Sequence, residues 1–373
     1  MLAPPYQTAV IGRTGRGDYG HGLDLAVWNH PKLKVVAVAD EDARGRAQAA
    51  KRLGVEQAYD DYRAMLEREK PQFVVVAPRW LDGHKDMILA CAENGVLGIF
   101  CEKPLAPDLA SCDAIVAACE RSHVKLASAF QTRYSPRYER VKALIAEGAI
   151  GEVLELRGRG KEDRRGGGED LMVLGVHILD LCQDLLGEPA WCFARASERG
   201  RVVTPGQFRA GAEGIGPLAG DRIDAMFGFL ATPVVAHFAT CRPAEPGRRF
   251  GLTIGGSKGC IWIGTGWTPS AFLLRDPAWL AAGATAWSPI LGAGEGESPP
   301  GANDLAAGNR AIVADLIRAV ETDTQPRAHA RGARTAVEMV LACYASNVRQ
   351  GSVALPLADR DAHPLIGPPR PRP

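Results

Sequence analysis

The chain has almost no net charge, no paired cysteines and no long apolar run, and each shortage removes a class of function. Its 44 Lys and Arg balance 43 Asp and Glu over 373 residues, a net charge of +1. That balance gives no electrostatic case for a nucleic acid or an anionic membrane as partner. The nine cysteines are scattered, odd in number and without a Cys-x-x-Cys pair. They fit reduced, buried thiols and a cytoplasmic location better than a disulfide frame or a metal site. No apolar run reaches the length of a membrane span. The opening Met1-Leu-Ala-Pro-Pro-Tyr-Gln lacks the basic-then-apolar order of a signal peptide. No internal repeat is visible.

What is present reads as two domains, the natural division at this length. Thr8 to Ile11 is a short buried strand. The turn after it holds Gly12, Thr14, Gly15, Gly17, Tyr19 and Gly20. Gly15, Gly17 and Gly20 fit G-x-G-x-x-G, Leu23 to Asn29 can continue as a helix, and Lys34 to Ala39 is a second strand closing on Asp40. This is the dinucleotide pattern: glycines for close backbone approach, a helix N-terminus facing the pyrophosphate, an acid for the ribose hydroxyls. The extra residues Arg13-Thr14-Gly15 leave Gly12 as an alternative first glycine. No Gly-Lys-Ser/Thr follows, so a Walker A loop is excluded. Asp40 favours NAD, because a 2′-phosphate would meet a like charge, while Arg44 and Arg46 leave NADP open.

Strands and helices go on alternating. Helical stretches run over Asp42–Leu53, Tyr62–Glu69, Lys85–Asn94 and Ala110–Arg121, with strands at Phe73–Ala77, Val96–Cys101 and Lys125–Phe130. That order predicts a doubly wound parallel sheet over residues 1–130. The third strand ends in Pro78-Arg79-Trp80, followed by His84, which is either a cofactor neighbour or a helix-start residue. The fourth delivers Glu102-Lys103-Pro104 to the crevice where open α/β sheets place ligands. Pro104 stiffens the support of Lys103.

From residue 131 the pattern changes. A helix over Arg137–Glu147 and a strand over Gly151–Gly158 lead into a polar loop, Lys161–Gly168, and a helix over Asp170–Leu186. Strand signals then follow without helices between them, at Ala190–Ala196, Ile223–Leu230, Val234–Thr240, Phe250–Ile254 and Cys260–Ile263. This predicts an α+β domain over 131–358 with an open mixed, mostly antiparallel sheet. Trp267–Pro300 has no period and reads as a loop. Asn309–Glu321 and Ala333–Gln350 read as helices, and 359–373 as a proline-rich tail.

The glycine turn, Asp40, Glu102-Lys103-Pro104, Gln131-x-Arg133, Gly175-Val-His177-Ile-Leu-Asp180 and Gly255-x-Ser-Lys-Gly259 occur in that order. Together they resemble the glucose–fructose oxidoreductase / inositol dehydrogenase / rhizopine catabolism (Gfo/Idh/MocA) family over roughly residues 7 to 357. The resemblance implies an N-terminal Rossmann domain, a C-terminal open-sheet domain, a homo-dimer or homo-tetramer, and NAD(P)-linked oxidation or reduction of a sugar, cyclitol or related polyol. It also implies that Lys103 and His177 lie beside the substrate. Two departures stand out. The position four before His177, often Asp in the family, is Val173, and the glycine triplet is one residue further from His177 than the family pattern expects. Asp170 or Glu169 is a candidate substitute for the missing acid. The alternative is an N-terminal helix residue favoured by the dipole.

Hydride transfer from a carbinol needs a group to take the hydroxyl proton. His177 suits that role by its ordinary pKa, with Lys103 stabilising the alkoxide. A desolvated Lys103 would exchange the roles. Asp180 is a candidate to orient the imidazole, and Arg133 and Lys161 to bind substrate. Two other classes compete with a net dehydrogenase. One is a redox-assisted glycoside hydrolase or lyase with tightly held NAD. The other is a non-catalytic NAD-binding sensor.

Overall fold

The computed structural model describes residues 4–243, 245, 247, 249–282, 285–293 and 304–366. The chain forms two compact units, divided first between Gln131 and Thr132. Residues 213–215 and 305–334 return to the first unit, so the helical stretch after residue 304 does not belong wholly to the second, as the sequence suggested.

The first unit is built on a six-stranded parallel sheet. Its strands are β1 (Tyr6–Ile11), β2 (Leu33–Ala39), β3 (Gln57–Tyr59), β4 (Phe73–Val76), β5 (Gly98–Cys101) and β6 (Lys125–Ser128), in the order β3-β2-β1-β4-β5-β6. β4 and β5 are buried along their whole length, as continuous apolar runs covered on both faces must be. β3 escaped the sequence reading because it has only three residues, two of them exposed. Helices α1 (Ala43–Leu53), α2 (Tyr62–Glu69), α3 (His84–Glu93) and α4 (Leu109–Arg121) connect the strands. Asp42, Asp61 and Asp108 cap α1, α2 and α4 by accepting from backbone N–H groups.

One expected helix is missing. Between β1 and β2 only a 3-10 turn forms, over Leu23–Ala26. Gly15, Gly17, Gly20 and Gly22 all have positive φ, so the chain spends this stretch on successive turns rather than on a helix.

In the second unit α5 (Pro136–Ala146) precedes β7 (Val153–Arg159), a single turn α6 (Gly168–Asp170) and α7 (Val176–Leu186). A π-helical turn over Leu171–Gly175 joins α6 to α7. It absorbs the extra residue between the glycine triplet and His177, the usual origin of such a bulge. The sheet strands that follow are β8 (Pro189–Glu198), β9 (Arg201–Val202), β10 (Arg209–Ala210), β11 (Pro217–Leu218), β12 (Arg222–Phe229), β13 (Val235–Cys241), β14 (Gly251–Gly256), β15 (Gly259–Ile263), β16 (Ala271–Leu274) and β17 (Ser288–Pro289). With β18 (Val353–Ala354), and with β10 and β11 set apart as a small hairpin, they make one mixed sheet in the order β17-β16-β15-β14-β7-β13-β12-β8-β18, with β9 paired onto β8 off that path. Only β7 and β13 run parallel among its described pairs. β16 and β17 lie inside the segment expected to be loop; pairing of β16 onto β15 and of β17 onto β16 orders them without a periodic signal of their own. The remainder of that loop at 294–300, and the tail from 367, lie outside the described residues.

Helix α8 (Leu305–Glu321) packs on β5, β6 and the 3-10 turn, and α9 (Ala330–Arg349) follows it.

Gly20 shows how tightly the glycine turn is folded. A Cβ there would stand 2.6 Å from the Ala77 carbonyl and 2.7 Å from Glu102 Oε1, at a φ of +58°. Gly20→Ala is expected to cost about 1–2 kcal/mol from the left-handed backbone alone, with more from these contacts. The thermal unfolding midpoint should fall by several degrees; an unchanged midpoint would show that the turn is loosely held.

Candidate active site

At the carboxyl end of β5, Glu102 is fully buried and accepts three hydrogen bonds. His21 N donates to Oε1 at 3.1 Å, the His21 ring meets the same oxygen through Nδ1 at 2.5 Å, and Lys103 N donates to Oε2 at 2.9 Å. Burial pushes its pKa up, but the adjoining His21 and Lys103 outweigh that and hold it at about 2. Glu102 is therefore an ionised anchor for the glycine turn as well as for the backbone of Lys103. Lys103 itself is 7% exposed.

Gly12, Gly17 and Gly20 face protein, whereas Gly15 and Gly22 face open space. A Cβ on Gly17 would meet the Arg79 and Trp80 backbone nitrogens at 2.4 and 2.6 Å, and one on Gly12 would strike the Tyr19 ring at 2.2 Å. Gly17 and Gly20 let the turn pack onto the ends of β4 and β5. The Tyr19 ring lies under the Arg52 guanidinium, 4.8 Å from its centroid, and Arg52 is held by the buried Asp24 at 2.5 Å. Asp40 is 2% exposed at the end of β2. Its carboxylate accepts from Thr14 N at 3.1 Å, from Thr14 Oγ1 at 2.7 Å and from Asp42 N at 3.0 Å. Arg46 donates to the Asp40 carbonyl at 2.7 Å.

Pro78 and His84 have structural partners. The His84 ring is fully buried, with Nε2 2.7 Å from the Pro78 carbonyl and Nδ1 3.1 Å from that of Leu105. It ties the end of β4 to the segment after Lys103 and is a core residue rather than a cofactor neighbour. Trp80 is partly exposed and carries the Arg16 guanidinium 5.6 Å from its ring centroid.

The β1/β4 junction is the point where strand order reverses, the place where such sheets bind dinucleotides. One observation tests that fit directly: Arg13 Nε, just after Gly12, is buried and has no hydrogen-bond partner. An unpaired buried cationic donor there suits an anionic ligand. With Asp40 at the neighbouring strand end, the residues fit a dinucleotide, held without a full helix N-terminus.

In the second unit His177 is half-exposed in the first turn of α7. In an unbroken α-helix Asp170, seven residues earlier, would share its face. The π turn rotates the preceding segment by roughly one residue's worth of arc, about 100°. Asp170 is instead fully buried, accepting from Thr240 Oγ1 at 2.5 Å, Glu162 N at 3.1 Å and Lys161 N at 3.2 Å. Burial raises its pKa against these bonds. It pins the loop after β7 to β13.

Arg133 and Asp180 are likewise committed to each other. Arg133 Nε donates to Asp180 Oδ2 at 2.8 Å, and its NH1 group to Asp184 Oδ1 at 2.6 Å. Both residues are buried, and the pair braces α7. Lys161 is exposed, its Nζ 3.6 Å from Asp163. Arg13 and His21 carry no motif of their own; both lie inside the glycine turn, where a basic residue type is the signal in the sequence.

Two family models match. Residues 6–130 fit the oxidoreductase family with NAD-binding Rossmann fold, and residues 138–262 fit the GFO/IDH/MocA C-terminal domain. The chain belongs to the Gfo/Idh/MocA family. It is 34% identical over 165 residues to a D-apiose dehydrogenase of Paraburkholderia graminis, covering 42% of this chain and 44% of that protein. It is 28% identical to a levoglucosan dehydrogenase of Pseudarthrobacter phenanthrenivorans, covering 68% of this chain and 73% of that one. The match therefore spans less than half of the first relative and nearly three quarters of the second. A solved levoglucosan dehydrogenase complex with NADH and levoglucosan superposes with a TM-score of 0.73 at 21% identity, covering 94% of this chain and 99% of the other, and so shares its fold.

Asp170→Asn is expected to lower stability by about 1–3 kcal/mol, because a buried charge-assisted network loses its centre. Turnover per folded molecule should stay within about twofold of wild type, an order-of-magnitude bound for a group outside the chemistry. Chemical denaturation together with steady-state kinetics checks both, and a large fall in kcat at full stability would return Asp170 to the reacting groups.

Proposed function

We propose that the chain is an NAD-linked dehydrogenase acting on a CH–OH group of a sugar, cyclitol or related polyol. The observation that carries this reading is the buried Glu102–Lys103 pair at a strand end beside the switch point of an NAD-binding family fold. The apiose and levoglucosan dehydrogenases named above support the substrate class.

When bound, the nicotinamide supplies the hydride acceptor or donor. The chain's own residues handle the oxygen and its proton. Lys103 is a cation on a stiff support, held by its backbone to an ionised carboxylate. It stabilises negative charge on the substrate oxygen as the C–H bond breaks. His177, half-exposed and near neutrality by type, takes the hydroxyl proton and returns it in the reverse direction. Asp40 accepts the ribose hydroxyls and disfavours a 2′-phosphate by charge. Asp170, Arg133 and Asp180 hold the second unit's helix in place and touch no reacting atom.

The test is absorbance of reduced nicotinamide while sugars and cyclitols are screened with NAD. Wild type should produce NADH with at least one of them. Lys103→Ala should reduce kcat by roughly 10²–10³-fold and His177→Ala by roughly 10²–10⁴-fold, with NADH binding preserved in both. Unimpaired turnover in Lys103→Ala would end the assignment.

A further inference from the structure

The missing helix leaves a chemical gap. A Rossmann turn ordinarily neutralises the pyrophosphate with backbone N–H groups at a helix N-terminus. Here the turn leads only to the four-residue 3-10 segment Leu23–Ala26, and Gly22 before it makes no side-chain cap. The Cα face of Gly12 is covered by Tyr19. Backbone donors are therefore short where two negative charges need them.

Arg13 stands at that gap. Its backbone is fixed in a small turn, with Arg13 N donating to the Asp18 carbonyl at 3.1 Å and Asp18 N to the Arg13 carbonyl at 3.0 Å. Its side chain is 18% exposed and reaches both flanks of β1. NH1 lies 3.3 Å from Asp82, after β4, and Nε 4.0 Å from Glu41, after β2. The guanidinium thus spans the switch point between the two halves of the sheet. Its contact with Asp82 is long for a charged pair, and Glu41 is 71% exposed and outside hydrogen-bond range. Nε is buried and makes no hydrogen bond. Arg16, also on Asp82, is 53% exposed and leans on Trp80, so solvent already serves it.

We propose that Arg13 binds the pyrophosphate of the dinucleotide, its guanidinium standing in for the helix N-terminus that this turn does not form. The inference rests on the NAD reading above. A planar guanidinium offers two parallel donors to a phosphate, and the unpaired Nε is one of them. On binding, the phosphate oxygens take over from the weak contacts to Asp82 and Glu41.

The experiment is equilibrium titration at low salt, with NADH followed by its fluorescence and with ADP-ribose and adenosine as competitors. Wild type binds NADH and ADP-ribose. Arg13→Gln should weaken both by roughly 10–100-fold, the loss expected for a hydrogen bond between charged groups, and leave adenosine, which has no phosphate, unchanged. Arg13→Lys keeps the charge but not the fork and should fall between them. Arg16→Gln should change little. Thermal midpoints of the variants confirm that each is folded. NADH affinity unchanged in Arg13→Gln, or an equal loss for adenosine, would overturn the proposal and leave Arg13 as a brace between Asp82 and Glu41. Failure of wild type to bind NADH would remove the NAD reading and this proposal together.

Discussion

One buried carboxylate holds the functional end of the first unit together. Glu102 sits at the end of β5 with no exposed surface and remains ionised because His21 and Lys103 outweigh its burial. One oxygen receives the backbone and ring of His21, and so fixes the glycine turn; the other receives the backbone of Lys103. Burying an uncompensated charge would be prohibitive, so the turn and the lysine support are obliged to form around it. The glycines follow from this constraint. Gly20 must pass within contact of Glu102 and the Ala77 carbonyl, where no side chain fits.

The second unit solves a different problem. Its helix α7 must present His177 while the chain ahead of it carries one residue too many. A π turn takes up the surplus, and the rotation it introduces sends Asp170 into the sheet against Thr240. Arg133 then clamps the helix from the other side through Asp180 and Asp184. Asp170, Arg133 and Asp180, which look catalytic or substrate-binding by type and spacing, brace this helix and the loop before it.

The parallel sheet was legible in the sequence because buried strands such as Phe73–Val76 are apolar throughout and are separated by capped helices. The strand ends that carry Asp40 and Lys103 were legible because each closes an apolar run with charged residues. What escaped depended on partners distant in the chain. Nothing near Asp170 says that Thr240 will meet it, and the three-residue β3 gains its order by pairing with β2. The failed helix after Gly20 has a local cause: four glycines at positive φ favour turns over helix. His21 and Arg13 were hidden by the attention a glycine pattern attracts to its glycines.

Glu102 holds two segments at once, and native-state hydrogen exchange of Glu102→Ala measures that directly. The backbone amides of His21 and Lys103 should both lose protection, while those inside β4 and β5, such as Val75 and Phe100, keep theirs. Retained protection at His21 with loss only at Lys103, or the reverse, would contradict a single carboxylate organising both.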